Sequence, residues 1–98
     1  MTDPTTLILS SLAQSDKHGY GIMEDVQEFA GVKLGPGTLY GAITRLENQG
    51  WIRPLPGDAR RRPYTLTAEG AAELERQMKA MEQVSKVGLG RLRQRRLA

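Results

Sequence analysis

No cysteine occurs in the 98 residues. Disulfide staples and thiolate metal sites are excluded, and a reducing, cytoplasmic setting is the expectation that fits. Aromatic residues make up only 5%, with one tryptophan and one phenylalanine, and His18 is the sole histidine. No apolar run approaches the roughly 18 residues that a membrane-spanning helix needs. The N-terminus lacks the basic region and apolar block of an export signal. Ser-His-Asp sets and phosphate-cradling Gly-x-x-x-x-Gly-Lys loops are missing too. Neither an enzyme, nor a cofactor or metal site, nor a membrane partner is expected.

What is present is basic and unevenly spread. The net charge is +3, and arginine supplies ten of the fourteen basic residues. Three form the run Arg60-Arg61-Arg62, and Arg91, Arg93, Arg95 and Arg96 crowd the end. Guanidinium forks pair bidentately with phosphate, so clustered arginine points to a polyanion; for the tail, a solvated face fits equally well. A chain of this length supports one small core and buries roughly two thirds of its unfolded surface. With 39% hydrophobic and 26% charged residues, the composition is that of an ordinary soluble globular chain.

Local signals divide the chain into four helices and a hairpin. Asp3 and Pro4 open a first helix over 4–14, with Leu7, Ile8, Leu9, Leu12 and Ala13 on one side. After a turn at 15–19, a second helix runs over 20–30 on Ile22, Met23, Val26, Phe29 and Ala30, and Gly31 ends it. A third starts at Pro36 behind Gly35 and ends at Gly50. Segments 51–54 and 63–66 flank a Pro-Gly-Asp turn and form a two-stranded hairpin, its loop bearing arginines. Thr67 caps a last helix whose apolar positions are Ala71, Leu74, Met78, Met81, Val84, Gly88 and Leu92. Gly88 and Gly90 should weaken that helix, and its last residues should fray. The fold class is mainly α with a small β-hairpin: a winged helix-turn-helix over 1–67, then a C-terminal dimerisation helix with a basic tail over 68–98.

The third helix turns Leu39, Ala42, Ile43 and Leu46 inward. Its opposite arc holds Gly37, Thr38, Tyr40, Gly41, Thr44, Arg45, Glu47 and Asn48. Glycine inside a helix is unfavourable unless something must approach closely. Short hydrogen-bonding groups around two glycines suit the major groove. Arg45 is placed to read guanine, Asn48 adenine and Thr44 a thymine methyl, with Thr38 and Tyr40 near phosphate. In a winged arrangement Arg60, Arg61 and Arg62 flank the same helix and would grip the backbone. Glu47, on the edge of that arc, would repel phosphate; it is expected to pair with a nearby arginine or, where it reaches a base, to accept from cytosine.

The blocks His18-Gly19-Tyr20-Gly21-Ile22, Gly35-Pro36-Gly37-Thr38-Leu39-Tyr40, Arg45-Leu46-Glu47, Gly50-Trp51-Ile52 and Arg61-Arg62-Pro63-Tyr64-Thr65-Leu66-Thr67-Ala68-Glu69-Gly70 occur in that order. Together they resemble the PadR family of bacterial transcriptional regulators over about residues 5–75. The resemblance implies a dimeric repressor binding a double-stranded DNA operator, with the first and last helices building the dimer interface. The candidate dimer residues are Leu7, Ile8, Leu74, Met78, Met81, Val84 and Leu92. It also places Tyr64 behind the wing. The chain looks like the short subgroup with one C-terminal helix, and that helix lacks the tryptophan with which some short relatives hold flat aromatic drugs. An unidentified small-molecule effector is compatible with the plan.

Blander roles suit the remaining tempting residues. His18 reads as a turn residue, Trp51 as a cover on the core, and Met78 and Met81 as seam packing. Asp25, Glu28, Glu73 and Glu75 have no nucleophile partner and read as solvated charge. The competing function is a winged-helix module that docks protein rather than DNA.

Overall fold

The computed structural model of the chain describes residues 2–58 and 61–95. In chain order it contains α1 (Pro4–Gln14), β1 (Lys17–His18), α2 (Gly19–Ala30), α3 (Pro36–Asn48), β2 (Ile52–Pro54), β3 (Pro63–Leu66) and α4 (Ala68–Arg95). Local chemistry sets most of these bounds. Asp3 Oδ1 accepts the Thr5 amide at 2.7 Å to open α1, and Gly31, at φ 67°, closes α2 in the left-handed region. Thr67 Oγ1 accepts the Gly70 amide at 3.0 Å, which caps α4.

The sheet has three strands, in the order β1-β3-β2, all antiparallel. The expected two-stranded hairpin is present as β2 and β3, and a third strand extends it. The third strand is the dipeptide Lys17–His18, which pairs with Tyr64 and Pro63 inside the segment expected to be only a turn. Its ion pairing fixes it from the other side. Lys17 Nζ donates to the Ser11 carbonyl at 2.6 Å and lies 3.8 Å from Asp25 Oδ2. The ammonium thus satisfies a C-terminal carbonyl of α1 while tying β1 to α2. Asp25 is accordingly half-buried structural charge rather than a solvated one.

One core joins all the helices. Leu7, Ile8, Leu9 and Leu12 of α1 meet Ile22 and Val26 of α2, Leu39, Ile43 and Leu46 of α3, Ile52 of β2 and Leu74 of α4. Trp51 packs against its edge, as expected of it. Ala13, Phe29, Ala30 and Ala71, expected on apolar faces, are instead exposed. The helical period holds, but the core covers a narrower arc than the apolar residues do.

Beyond Gln77 α4 leaves the body. Twenty-eight residues at 1.5 Å per residue make a helix about 42 Å long. The chain measures 55 × 26 × 20 Å with a radius of gyration of 15.7 Å, against about 13 Å for a rounded domain of this size. α4 runs unbroken through Gly88 and Gly90. The expected fraying falls partly at residues 96–98, outside the described residues.

Candidate nucleic-acid interface

α3 is held at both ends by backbone geometry. Gly35 accepts the Leu39 amide at 2.9 Å, and Pro36 occupies the first turn, where a missing amide is harmless. At the other end the Gly50 amide donates to the Glu47 carbonyl at 2.9 Å and the Trp51 amide to Leu46 at 3.0 Å. Gly50, at φ 76°, supplies the left-handed residue that this Schellman closure requires. With Leu39, Ala42, Ile43 and Leu46 buried, the helix has no rotational freedom left.

The opposite arc is free. Gly37, Thr38, Tyr40, Gly41, Thr44, Arg45 and Asn48 are all exposed. A Cβ at Gly37 would meet nothing within 4 Å, and one at Gly41 would only touch the Arg45 guanidinium at 3.9 Å. The protomer's own packing therefore requires neither glycine, although each costs about 1 kcal/mol relative to alanine in a helix. Both leave room for something outside the chain. The Thr44 hydroxyl donates to the Tyr40 carbonyl at 3.0 Å, so its proton is committed within the helix. Arg45 folds back along α3 over Gly41, and its charge, after the two Thr5 hydrogen bonds, helps hold the Asp3 carboxyl below its ordinary range.

Tyr40 makes a contact that the sequence did not reveal. Its ring lies so close over Gly19, the first residue of α2, that a Cβ there would come within 2.5 Å of the phenol oxygen. The tyrosine hydroxyl thereby lies at the N-terminus of α2 while the residue stays 47% exposed. His18, expected to be a plain turn residue, is the cap of that same helix. Its Nδ1 accepts the Gly21 amide at 3.3 Å. The glycine-tyrosine spacing of both motifs was visible; their fit to one another was not.

The wing follows the same logic. Leu55 donates to the Pro63 carbonyl at 2.8 Å, and the Arg61 amide is held by Asp58 Oδ1 at 2.8 Å. Arg61 and Arg62 are exposed, whereas Arg60 lies outside the described residues. Glu47, expected to pair with an arginine, has no ion pair among the described residues. It is half-buried, and with Tyr40 it pushes the Tyr64 phenol above its ordinary value, behind the larger effect of burial; Arg62 opposes them. Residues of α3 and the wing thus share one electrostatic neighbourhood around Tyr64, which stays protonated at neutral pH.

The residues expected at the dimer seam divide in two. Leu7, Ile8 and Leu74 are 6%, 0% and 9% exposed and belong to the protomer's own core. Their apolar character serves the α1–α4 contact within the chain, which corrects their assignment to a partner-facing surface. Met78, Met81, Val84 and Leu92 are exposed along the projecting part of α4. Separately, a cleft of about 170 Å³ opens between α2 and the linker to α3, lined by Tyr20, Met23, Glu24, Gln27, Lys33 and Leu34. That is below the roughly 300 Å³ at which ligand pockets begin.

Comparison with known proteins gives this geometry its context. The family model described as "Transcriptional regulator PadR-like family" matches residues 8–76. A 37.1 kDa protein of unknown role in transposon TN4556 of Streptomyces fradiae is 42% identical over 83 residues, covering 85% of this chain but only 24% of that protein. The chain thus spans about a quarter of that relative's length. The transcriptional regulator Rv3488 of Mycobacterium tuberculosis is 33% identical over 87 residues, with 85% of this chain and 79% of that one covered. Among solved structures, a PadR family regulator from hypervirulent Clostridium difficile superposes with a TM-score of 0.83 at 31% identity, over 93% of this chain and 99% of the other. A transcriptional regulator from Clostridium thermocellum gives a TM-score of 0.76 at 32% identity, covering 86% and 84%. Family model, relatives and fold agree: this chain is a winged-helix protein of the PadR-like family of transcriptional regulators.

Proposed function

We propose that this chain is a homodimeric, sequence-specific DNA-binding repressor, located in the cytoplasm, which blocks transcription by occupying its operator. The observation that carries the reading is the outer face of α3. Seven neighbouring positions are exposed, and the two glycines among them are required by nothing in the protomer. Arg45 and Asn48 are suited to base edges, and Thr44, its hydroxyl proton already committed, offers a methyl to thymine. Tyr40 and Thr38 suit phosphate oxygens, and Arg61 and Arg62 supply the salt-dependent grip of the wing. Two copies related by a two-fold axis would read a pseudo-palindrome with half-sites about one turn, or 10 bp, apart.

Dimerisation is supported by the distal part of α4, where Met78, Met81, Val84 and Leu92 are large apolar side chains left exposed. An effector, where one acts, would seat between protomers rather than in the small α2 cleft.

The test is a mobility-shift series on fragments upstream of genes in the host, read at several salt concentrations. Arg45→Ala should flatten the preference among fragments. Arg61→Ala should weaken binding to all of them and lower the salt slope by about 0.9 for each phosphate that the wing no longer neutralises. A folded chain that shifts no fragment at low salt, yet still captures protein, would make the docking-module reading the correct one.

A further inference from the structure

The C-terminal end of α3 and the N-terminal end of α4 are joined backbone to backbone. Thr67 Oγ1 donates to the Gly50 carbonyl at 2.7 Å and accepts the Gly70 amide at 3.0 Å, so one hydroxyl bridges the two helix ends. The Thr67 amide donates to the Trp51 carbonyl at 3.1 Å. Gly70 lies flush against that carbonyl: a Cβ there would come within 1.9 Å of the Trp51 oxygen and 2.8 Å of its carbon. Gly50 and Trp51 are themselves the closing residues of the Schellman motif on α3. The helix that carries the polar face and the helix that projects out of the body are thus tied directly to each other at their ends.

We infer that Thr67 and Gly70 are positioning residues that lock the angle between α3 and α4, and that this lock sets which half-site separation the dimer accepts. The inference rests on the proposed function for its consequence and on the joint alone for its cause. If two copies meet along α4, a fixed angle at each joint fixes the distance between the two α3 helices. A loosened joint would let them search a range of separations. Half-site spacing would then stop being discriminated even though every base-contacting residue stayed in place.

The absence of cysteine makes the joint directly measurable. Thr44→Cys on α3 and Gln83→Cys on α4, both exposed positions, accept a pair of spin labels. Labelled chains diluted into excess unlabelled chain report the distance within one protomer. The parent should give one narrow distance. Thr67→Val keeps the shape but removes both hydroxyl bonds, and it should broaden the distribution; Thr67→Ser should keep it narrow.

In parallel, the unlabelled variants select from duplexes whose half-sites are separated by varied numbers of base pairs. The parent and Thr67→Ser should enrich one spacing at least about tenfold over its neighbours. Thr67→Val should bind a range of spacings within about threefold, with unchanged dimer mass and single half-site affinity. A helix that is merely less stable would instead lose affinity equally at every spacing. A narrow distance in Thr67→Val, or a broad one with the spacing preference intact, overturns the inference. A parent chain that binds no duplex overturns the proposed function and the spacing role with it, while the distance measurement still decides whether the joint is rigid.

Discussion

The first three turns of α4 and the turns beyond them form one continuous helix with two kinds of surroundings. Up to Gln77, nearly every inward position is accounted for. Gly70 sits against the Trp51 carbonyl, Leu74 enters the core, and Gln77 Oε1 accepts the Thr6 hydroxyl at 2.6 Å. Beyond it, Val84 is 72% exposed, and a Cβ at Gly88 or Gly90 would meet nothing within 4 Å. The glycines show the contrast most plainly. Gly70 is a glycine because its own chain leaves no room, whereas Gly88 lowers helix propensity for no visible return within the protomer. The proximal part of α4 is specified by contacts with the rest of this chain, whereas the distal part is left exposed, as the proposed dimer would require.

The strongest way to break this contrast is at Gly70. Alanine there must push either α4 or the Trp51 backbone aside, and it should cost about 3 kcal/mol, the upper range for overpacking a tight site. At that magnitude the thermal midpoint falls by roughly 12 to 24 °C for a domain of this size. A Gly70→Ala chain melting within 3 °C or so of the parent would show that the contact is loose. Gly90→Ala, on the same helix, should leave the melting temperature unchanged or raise it.

Next in size is Met81→Asp, in the distal part. The carboxylate has ample water in a lone protomer, so the chain should fold normally. Buried twice by symmetry at a seam, it should raise the dimer dissociation constant at least a hundredfold, about 2.7 kcal/mol. Sedimentation across a concentration series reads this directly. An unchanged dimer would remove the distal face from the interface.

Gly88→Ala sharpens the same question with a smaller change. In a bare helix the substitution is worth about 1 kcal/mol of added stability. Against a closely crossing partner helix, one extra methyl meets an overpacking penalty of roughly 1–3 kcal/mol. We expect the penalty to win and the dimer to weaken several-fold. A higher melting temperature with an equally tight dimer would mean that no backbone crosses at Gly88.

These differences also mark what the sequence could and could not say. Caps and helix ends were legible because they are local: Asp3, Gly31, Gly35-Pro36, Gly50 and Thr67 each act within a few residues of their own position. The exposed arc of α3 was legible for the same reason, since helical period alone separates Leu39, Ala42, Ile43 and Leu46 from Thr44, Arg45 and Asn48. β1 was not legible. Lys17 and His18 have no marked strand preference and become a strand only through Tyr64 and Pro63, more than forty residues away. Nor could apolar character say which surface an apolar residue covers. Ile8 and Met81 both lie on helix stripes, but one is enclosed by its own chain and the other is bare. The fit of Tyr40 over Gly19 and of Gly70 against Trp51 needs two segments in three dimensions, and each glycine alone reads as a propensity defect.

The smallest predicted effect concerns pH and again separates the two parts of α4. Glu73 accepts hydrogen bonds from Arg76 at 2.6 and 2.9 Å and from Gln77 Nε2 at 2.7 Å, and Gln77 in turn holds Thr6. It is therefore not the solvated charge its sequence position suggested. The Arg76 hydrogen bond, then the Gln77 one, holds its carboxyl below the ordinary value of 4.5. A carboxyl lowered on folding contributes stability that is complete above 4.5 and is lost as pH falls through the lower folded value. Acidification below the ordinary carboxyl value should thus loosen the α1–α4 link at Thr6 and Gln77 first, seen as lower amide protection factors at residues 73–77. The distal pairs Glu75–Lys79 and Glu82–Lys86 are exposed i,i+4 contacts worth about 0.3–0.5 kcal/mol each, and they tie α4 to nothing else. Glu73→Gln retains an acceptor without the titration, so it should remove the acid-dependent change at residues 73–77 and leave the distal turns as they were. Equal acid sensitivity in Glu73→Gln and the parent would place the titrating group elsewhere.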